Sequence, residues 1–169
     1  RLKALRAQNL TLANIGDDDR LWLLNLAENN RVNSDALNIN SLIDDILVHH
    51  DIVPPTLATA QAIIESGWGT SRFAQEGNAL FGIWIWGDGD GMVPEERMDG
   101  DNHKIKSYDS LVESVEHYIL NLNRHYAYAE FRALRAEARK TAGALTTEDV
   151  IAGLTNYSEK GAAYVELLE

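Results

Sequence analysis

One acidic residue falls where a helix should end. Glu65 lies in the segment Ile64-Glu65-Ser66-Gly67-Trp68-Gly69, and its glycines are typical of a helix C-terminus. The unpaired carbonyl groups of a last helical turn oppose ionisation of a carboxylate, and neighbouring aromatic rings raise its pKa further by desolvation. A carboxyl kept protonated in this way suits general acid catalysis, such as protonation of a glycosidic oxygen. The alternative is an ordinary solvated Glu at a helix end.

Aromatic residues around and after this segment are candidates for binding sugar rings, whose apolar faces pack well against flat side chains. They are Trp68, Phe81, Trp84, Trp86 and Tyr118. Trp68 has the alternative of anchoring the core. Asn78 is a candidate for hydrogen bonding to a substrate, although a turn explains Asn after Gly equally well.

Composition argues against several kinds of site and partner. Acidic residues outnumber basic ones 26 to 15, giving a formal net charge of -11, so the basic field that binds nucleic acid is missing. Cysteine is absent, which excludes disulfides and thiolate chemistry. The His residues lack the His-Glu-x-x-His spacing of zinc hydrolases, and the acidic loop at 88–101 departs from the EF-hand pattern. We expect no nucleic acid, no metal and no other cofactor.

Length and hydropathy indicate the organisation of the chain. No apolar run approaches the roughly 18 residues that cross a bilayer, so no transmembrane segment is expected in this sequence. The 169 residues, 45% of them hydrophobic, suffice for one sizeable core. We therefore expect a monomer with a single domain over 1–169, in which a helical extension at 1–50 packs on a catalytic core at 51–169. Any targeting peptide would precede Arg1.

The spacing of apolar residues predicts helices over most of the chain. They are expected at 18–29, after a cap at Ser41, from Pro55 through Ile64 to a stop at Gly67, at 71–75, after a capping box of Ser110 and Glu113, and near 127–140, 147–154 and 161–168. The helix after Ser110 should be the longest.

The stretch from Phe81 to Tyr108 differs from the rest. It contains Ile83-Trp84-Ile85-Trp86, a glycine- and aspartate-rich run, and the alternating Lys104-Ile105-Lys106, which together predict a small β-hairpin lobe. The expected fold class is α+β and predominantly α-helical. A substrate cleft between the lobe and the helical body follows from that arrangement.

The string AQAIIESGWGTSRFA at 60–74, followed by GNALFGIW at 77–84, closely resembles the glucosaminidases of glycoside hydrolase family 73, in particular their Bax-like bacterial branch. The resemblance runs from about Pro54 to Leu168. It implies a lysozyme-like fold and hydrolysis of the β-1,4 bond between GlcNAc and MurNAc in peptidoglycan, with Glu65 as general acid. It also implies a periplasmic or extracytoplasmic location.

The resemblance implies two further catalytic residues. Tyr157, in Leu154-Thr155-Asn156-Tyr157-Ser158, matches a family tyrosine near the acid; its alternative is a half-buried core residue. Many members carry a Thr-x-Glu segment on the β lobe whose Glu activates water. Here Val93-Pro94-Glu95-Glu96-Arg97 replaces it, which makes Glu96 the closest match, with Glu95 and Asp99 as rivals.

Other functions remain open at this point. A lytic transglycosylase also uses one helix-end Glu in a lysozyme-like fold, although its usual Gly-Leu-Met-Gln signature is absent here. A lysozyme-type muramidase would act on the same glycan, and a non-catalytic module would bind or assemble peptidoglycan without turnover. The mechanism is also open, since a base about 6.5–9.5 Å from the acid indicates inversion, whereas assistance by the substrate's N-acetyl group needs no second carboxylate.

Overall fold

The computed structural model describes residues 1–8, 11–34, 38–95, 100, 102–141 and 144–169. The α-helices in these ranges are α1 (Leu2–Arg6), α2 (Asp17–Asn29), α3 (Ile39–His49), α4 (Pro55–Ser66), α5 (Arg72–Gly77), α6 (Leu111–Arg124), α7 (Ala129–Ala138) and α8 (Ala162–Leu168). Short 3₁₀ segments occur at Tyr126–Tyr128 and Ile151–Leu154. A small antiparallel sheet accompanies them, so the α+β, mostly helical and lysozyme-like architecture is as predicted.

Local signals set the ends of the central helices. Pro55 begins α4 at a position that needs no backbone donor, and Gly67 ends it with φ of 58°, which glycine adopts without strain. The Ser110 hydroxyl accepts from the amide of Glu113 at the start of α6, while the Glu113 carboxylate accepts from the amide of Asp109. With 14 residues, α6 is the longest helix in the described ranges, as predicted.

The prediction of Ser41 as a helix cap is wrong. The Asn38 side chain accepts from the amide of Asn40 at 2.8 Å, so α3 begins at Ile39 and Ser41 lies inside its first turn. Asparagine and serine cap helices about equally well, and the position nearer the start of the apolar stripe is the one used. Ile39 thereby enters the core with no exposed surface.

The helix predicted at 147–154 forms only a short 3₁₀ segment, Ile151–Leu154. It lies against the backbone of α7: a Cβ atom added to Gly153 would lie 2.3 Å from the backbone nitrogen of Phe131. Such a contact is impossible for any other residue at this backbone position. Gly153 therefore allows the two segments to touch.

The predicted hairpin is a three-stranded sheet. Its strands are β1 (Trp84–Trp86), β2 (Gly91–Met92) and β3 (His103–Lys106), and β3 lies between the other two. Ile105 pairs with Trp84 on one side and with Met92 on the other. We expected the glycine-rich run to be a loop, but Gly91 and Met92 form the short strand β2. Glycine permits this pairing, because a Cβ atom at position 91 would lie 2.8 Å from the carbonyl oxygen of Ile105.

The described residues form two apolar clusters. The first, between α1, α2 and α3, contains Leu5, Leu23, Ala27, Ile39, Leu42, Ile43 and Ile46. The second joins α4, α6, α7 and α8 and contains Leu57, Phe81, Tyr118, Leu122, Phe131, Leu154 and Tyr164. Helix α3 packs against α6 and α7, which brings the two clusters together. None of the helices in the described ranges combines the length and the apolar character needed to cross a bilayer.

A buried arginine connects the two clusters. Arg135 of α7, only 1% exposed, donates to the carbonyl oxygens of Val48 and Ile52 at 2.9 Å and to Asn123 Oδ1 at 2.6 Å. The Val48 carbonyl belongs to the last turn of α3 and the Ile52 carbonyl follows that helix, so both lack helical partners. Burial lowers the pKa of Arg135 to about 10, so the side chain still carries its charge at neutral pH. Nearby, the exposed Arg139 makes a bidentate ion pair with Asp51.

We expect Arg135→Met to lower the free energy of unfolding by about 3 kcal/mol, because it leaves buried carbonyl and amide oxygens without donors. Arg139→Met is the matched control. It removes an exposed ion pair with Asp51 and should cost less than about 1 kcal/mol. Urea unfolding of both variants measures the difference, and an equal loss in the two would contradict the role of Arg135.

Candidate active site

The last turn of α4 presents Glu65 in a fixed position. The Ser66 hydroxyl donates to the carbonyl oxygen of Ala62 at 2.5 Å and accepts from the amide of Gly69 at 2.8 Å. This side chain therefore ties the last turn of α4 to the loop that follows it. One turn before the acid, Gln61 lies on the same face of α4 and is completely buried. Glu65 thus projects from a rigid turn toward the interior side of the helix.

The Glu65 carboxyl is partly buried and hydrogen-bonded. The hydroxyl of Tyr164, from α8, donates to Glu65 Oε1 at 2.7 Å. Tyr164 in turn accepts from Gln61 Nε2 at 2.9 Å, and the hydroxyl of Tyr118 donates to Gln61 Oε1 at 2.6 Å. A continuous chain of side-chain hydrogen bonds therefore connects α6, α4 and α8 to the carboxyl.

Burial raises the pKa of the Glu65 carboxyl above its ordinary value of 4.5. The hydrogen bond from Tyr164 and the positive charge of Lys160 lower that pKa, but their effect is smaller than that of burial. Desolvation therefore dominates and favours the neutral acid. A carboxyl in this condition retains its proton further toward neutral pH than an exposed one.

A tyrosine cluster beside the acid consists of Tyr118, Tyr128, Tyr157 and Tyr164. Within it, Tyr157 makes no direct hydrogen bond to Glu65. Its ring stacks on Tyr164 with centroids 5.4 Å apart, and its hydroxyl donates to the Phe81 carbonyl oxygen at 3.4 Å. Burial and the Glu65 charge raise the pKa of Tyr157 well above 10. Tyr157 thus forms part of the wall around the acid by packing on Tyr164, whereas Tyr164 contacts the acid directly. The sequence did not predict Tyr164 as a site residue, because local spacing does not relate residues 164 and 65.

The candidate sugar-binding residues differ in exposure. Trp84 and Trp86 project from one face of β1, with 50% and 67% of their surface exposed, and their rings meet edge to face at 6.2 Å. Phe81 and Tyr118 are buried, and their rings stack on each other at 3.9 Å. Both rings are almost completely enclosed and offer little surface to a sugar, so they occupy core positions.

Trp68 and Asn78 occupy surface and turn positions. Trp68 is 79% exposed, which does not fit a core anchor. The side chain of Asn78 donates to the Tyr108 carbonyl oxygen at 2.9 Å, and its φ of 52° is left-handed, which asparagine tolerates better than most residues. Asn78 therefore holds a turn beside the β lobe.

An apolar cavity of about 580 Å³ lies next to α4. Ala58, Ala62, Trp68, Phe81 and Ile119 are among its lining residues, whereas Glu65 is not. It opens on the face of α4 that adjoins the one carrying the acid. The residues that shelter the carboxyl belong instead to the tyrosine cluster.

The backbone at Gly82 lies on the other side of the Glu65 carboxyl. A Cβ atom added there would lie 3.9 Å from Glu65 Oε2, and the φ of 58° favours glycine. The two carboxyl oxygens therefore have different surroundings. Oε1 meets the Tyr164 hydroxyl, and Oε2 faces the segment that leads into β1.

Three carboxylates were candidates for the second catalytic group. Glu96 and the rival Asp99 lie outside the described residues. Glu95 is described: its side chain is 84% exposed and lies 3.5 Å from Arg72 Nε. In the parts of the chain that the structure describes, no group of three potential metal ligands is close enough to hold an ion.

Comparisons with known proteins bear on this site. The sequence profile of the Glucosaminidase family, described as mannosyl-glycoprotein endo-beta-N-acetylglucosaminidase, matches residues 44–169. The chain is 37% identical over 128 residues to Protein bax of Escherichia coli (strain K12), which covers 74% of this chain and 42% of that protein. It is 32% identical over 121 residues to Peptidoglycan hydrolase FlgJ of Escherichia coli O157:H7, covering 62% of this chain and 39% of that protein.

The chain therefore spans less than half the length of these curated relatives. The matched family range contains the whole hydrogen-bonded cluster from Gln61 to Tyr164. No solved structure matches the chain.

The raised pKa of Glu65 predicts how Glu65→Gln changes stability with pH. Below the pKa of Glu65 in the unfolded chain, this carboxyl is neutral in both the folded and the unfolded state. The parent protein loses stability as the pH rises from there through the higher pKa of the folded state, because the folded state must then bury a charge. Glutamine stays neutral and still accepts from Tyr164. We therefore expect Glu65→Gln to be more stable than the parent at pH 8, with the difference shrinking toward pH 4.

Urea unfolding at both pH values measures this difference. Glu28→Gln, on the exposed surface of α2, is the control for the change in net charge. A gain at pH 8 no larger than that of the control would contradict the burial of an ionised carboxylate at position 65.

Proposed function

We propose that this chain, which belongs to the glucosaminidase family, hydrolyses the β-1,4 bond on the reducing side of GlcNAc in peptidoglycan, with Glu65 as the general acid. The observation that carries the proposal is the partly buried carboxyl at the end of α4, whose pKa burial raises. A glycosidic oxygen leaves readily only when protonated, so an acid that stays neutral contributes directly to cleavage. The name of one relative, peptidoglycan hydrolase, supports this choice of glycan.

Tyr157 assists as part of the wall around the acid. Its ring covers Tyr164 and so keeps water from the hydrogen bond that Tyr164 makes with Glu65. Excluding water strengthens the electrostatic interactions inside a site. In this proposal Tyr157 contributes through its ring and its closeness to the charge, without itself transferring a proton.

The attacking water needs activation, and two routes remain. Glu96 stays the proposed base for an inverting reaction, with Glu95 and Asp99 as rivals. The alternative is assistance by the substrate's N-acetyl group, which requires no second enzyme carboxylate. The anomeric form of the first product, followed by NMR early in the reaction, distinguishes them, because inversion changes the configuration and substrate assistance retains it.

Exposed tryptophans of the β lobe are the proposed sugar contacts. Trp84 and Trp86 are exposed on one side of β1, with one face of the Trp84 ring stacked on His103 at 4.2 Å. Flat aromatic surfaces bury the apolar faces of pyranoses. Trp68 is a further candidate because it is exposed just beyond the acid. Phe81 and Tyr118 act instead by supporting the cluster.

The setting proposed for the chain follows the same reasoning. A substrate in the cell wall implies a periplasmic or extracytoplasmic location, and no nucleic acid or cofactor is needed for hydrolysis. We propose that the chain acts as a monomeric domain in which residues 1–50 form a helical extension on the catalytic core. The acidic net charge of -11 makes attraction to an anionic wall an unsuitable source of affinity.

We expect Glu65→Gln to lower kcat about 10²- to 10⁴-fold, the usual contribution of general acid catalysis, with little change in KM. Turnover of purified peptidoglycan, followed by release of reducing ends, measures the effect. Glu28→Gln, which removes a carboxylate far outside the cluster, should retain the parent rate. Full turnover by Glu65→Gln would overturn the assignment.

Mass spectrometry of the digest separates the competing activities. Reducing-end GlcNAc is the expected product, reducing-end MurNAc would indicate a muramidase, and 1,6-anhydro-MurNAc would indicate a lytic transglycosylase. Binding by the parent chain without any turnover would identify a non-catalytic peptidoglycan module.

We expect Trp84→Ala and Trp86→Ala each to raise KM for soluble glycan fragments severalfold while kcat changes little, because stacking holds the ground state and the transition state alike. Trp86→Tyr keeps an aromatic face and should recover most of the affinity. Steady-state kinetics provides the test. An unchanged KM in both alanine variants would contradict the proposal that the β lobe binds the glycan.

A further inference from the structure

We propose that Tyr164 is a positioning residue that keeps the acidic proton of Glu65 on Oε2, and that Gln61 and Tyr118 fix the direction in which Tyr164 donates. The inference rests on the proposed role of Glu65 as the acid. Tyr164 does not need to touch the substrate. It acts by determining which carboxyl oxygen is free to give up a proton.

The direction of the chain of hydrogen bonds starts at Tyr118. Its side chain has no exposed surface, and Gln61 is the one hydrogen-bond partner of its hydroxyl in the described part of the chain. A buried hydroxyl hydrogen without an acceptor is costly, so Tyr118 must donate. It therefore faces the carbonyl oxygen of the Gln61 amide, which can only accept.

The orientation of the Gln61 amide then decides the role of Tyr164. With Gln61 Oε1 directed at Tyr118, Nε2 is directed at the Tyr164 hydroxyl and donates to it at 2.9 Å. The oxygen of Tyr164 is thus the acceptor of that bond, and its own hydrogen is left for Glu65 Oε1 at 2.7 Å. In the reversed orientation the hydrogen of Tyr118 would face an N–H group and have no acceptor.

The consequence concerns the two oxygens of the acid. Oε1 accepts from Tyr164 whether Glu65 is ionised or neutral, so the acidic proton belongs on Oε2. That oxygen faces Gly82, where a Cβ atom would approach to 3.9 Å, next to the segment leading to the exposed tryptophans of β1. The proton is therefore held on the side of the carboxyl toward the β lobe.

Removing the Tyr164 hydroxyl should change the pH dependence of the reaction in a defined direction. Donation to a carboxylate stabilises its charged form and lowers its pKa, and the Tyr164 hydrogen bond acts in this direction on Glu65. Tyr164→Phe should consequently raise the pKa of the acid. The alkaline limb of the kcat profile, which reports loss of the acidic proton, should move to higher pH.

The kinetic test compares the parent chain, Tyr164→Phe, Tyr118→Phe and the double variant on peptidoglycan. For Tyr164→Phe we expect kcat to fall about tenfold or more through misplacement of the acid, with KM nearly unchanged and the alkaline limb displaced upward. Tyr118→Phe should displace the limb in the same direction by less. In the Tyr164→Phe background, Tyr118→Phe should add no further displacement, because it acts only through Tyr164.

Tyr126→Phe is the matched control, since Tyr126 is 83% exposed and its hydroxyl lies outside this chain of hydrogen bonds. It should leave kcat and the pH profile unchanged. A general loss of packing would lower activity without moving the alkaline limb.

The outcomes separate the two proposals. If Glu65→Gln is inactive and the limb of Tyr164→Phe coincides with that of the parent, the positioning role is overturned while the general acid stands. Full activity of Glu65→Gln would overturn both. Should Tyr164→Phe fail to fold, the Tyr118→Phe profile decides, because a displaced limb supports the chain of hydrogen bonds and an unchanged limb rejects it.

Discussion

The site depends on one constraint: a carboxyl must be sheltered from water and still have a partner for the charge it acquires. Burial alone would disfavour the carboxylate so strongly that the acid could not readily give up its proton. The Tyr164 hydroxyl provides that partner from a helix 99 positions along the chain. The packing of α8 against α4, and the tyrosine cluster between them, can be understood as the means of bringing this one hydroxyl to Glu65 Oε1.

Much of the fold could be predicted because its signals are local. Proline at the start of α4, glycine after it and the Ser110 cap each act within a few residues, so the sequence reveals them. The same locality placed Glu65 at a helix end. Ser41 shows the limit of such signals, since an equally good cap three residues earlier was the one used.

The remainder of the site depends on contacts that no short window contains. Gln61 meets Tyr164 across 103 positions and Tyr118 across 57, and nothing in their spacing relates them. Sequence also cannot tell which aromatic rings are enclosed: Phe81 and Trp84 are near neighbours, yet the first is in the core and the second is half exposed. Burial is a property of the assembled fold, which explains why sugar-binding and core aromatics were not separated.

The contact at Gly153 has a consequence for how inactive variants should be interpreted. The 3₁₀ segment touches α7 only because position 153 has no side chain, and four residues later the same chain supplies Tyr157 to the wall of the acid. A bulkier residue at 153 would separate two backbones and displace that wall from a distance. A mutational scan for lost turnover would then rank this glycine beside the chemical groups, although it never meets the glycan.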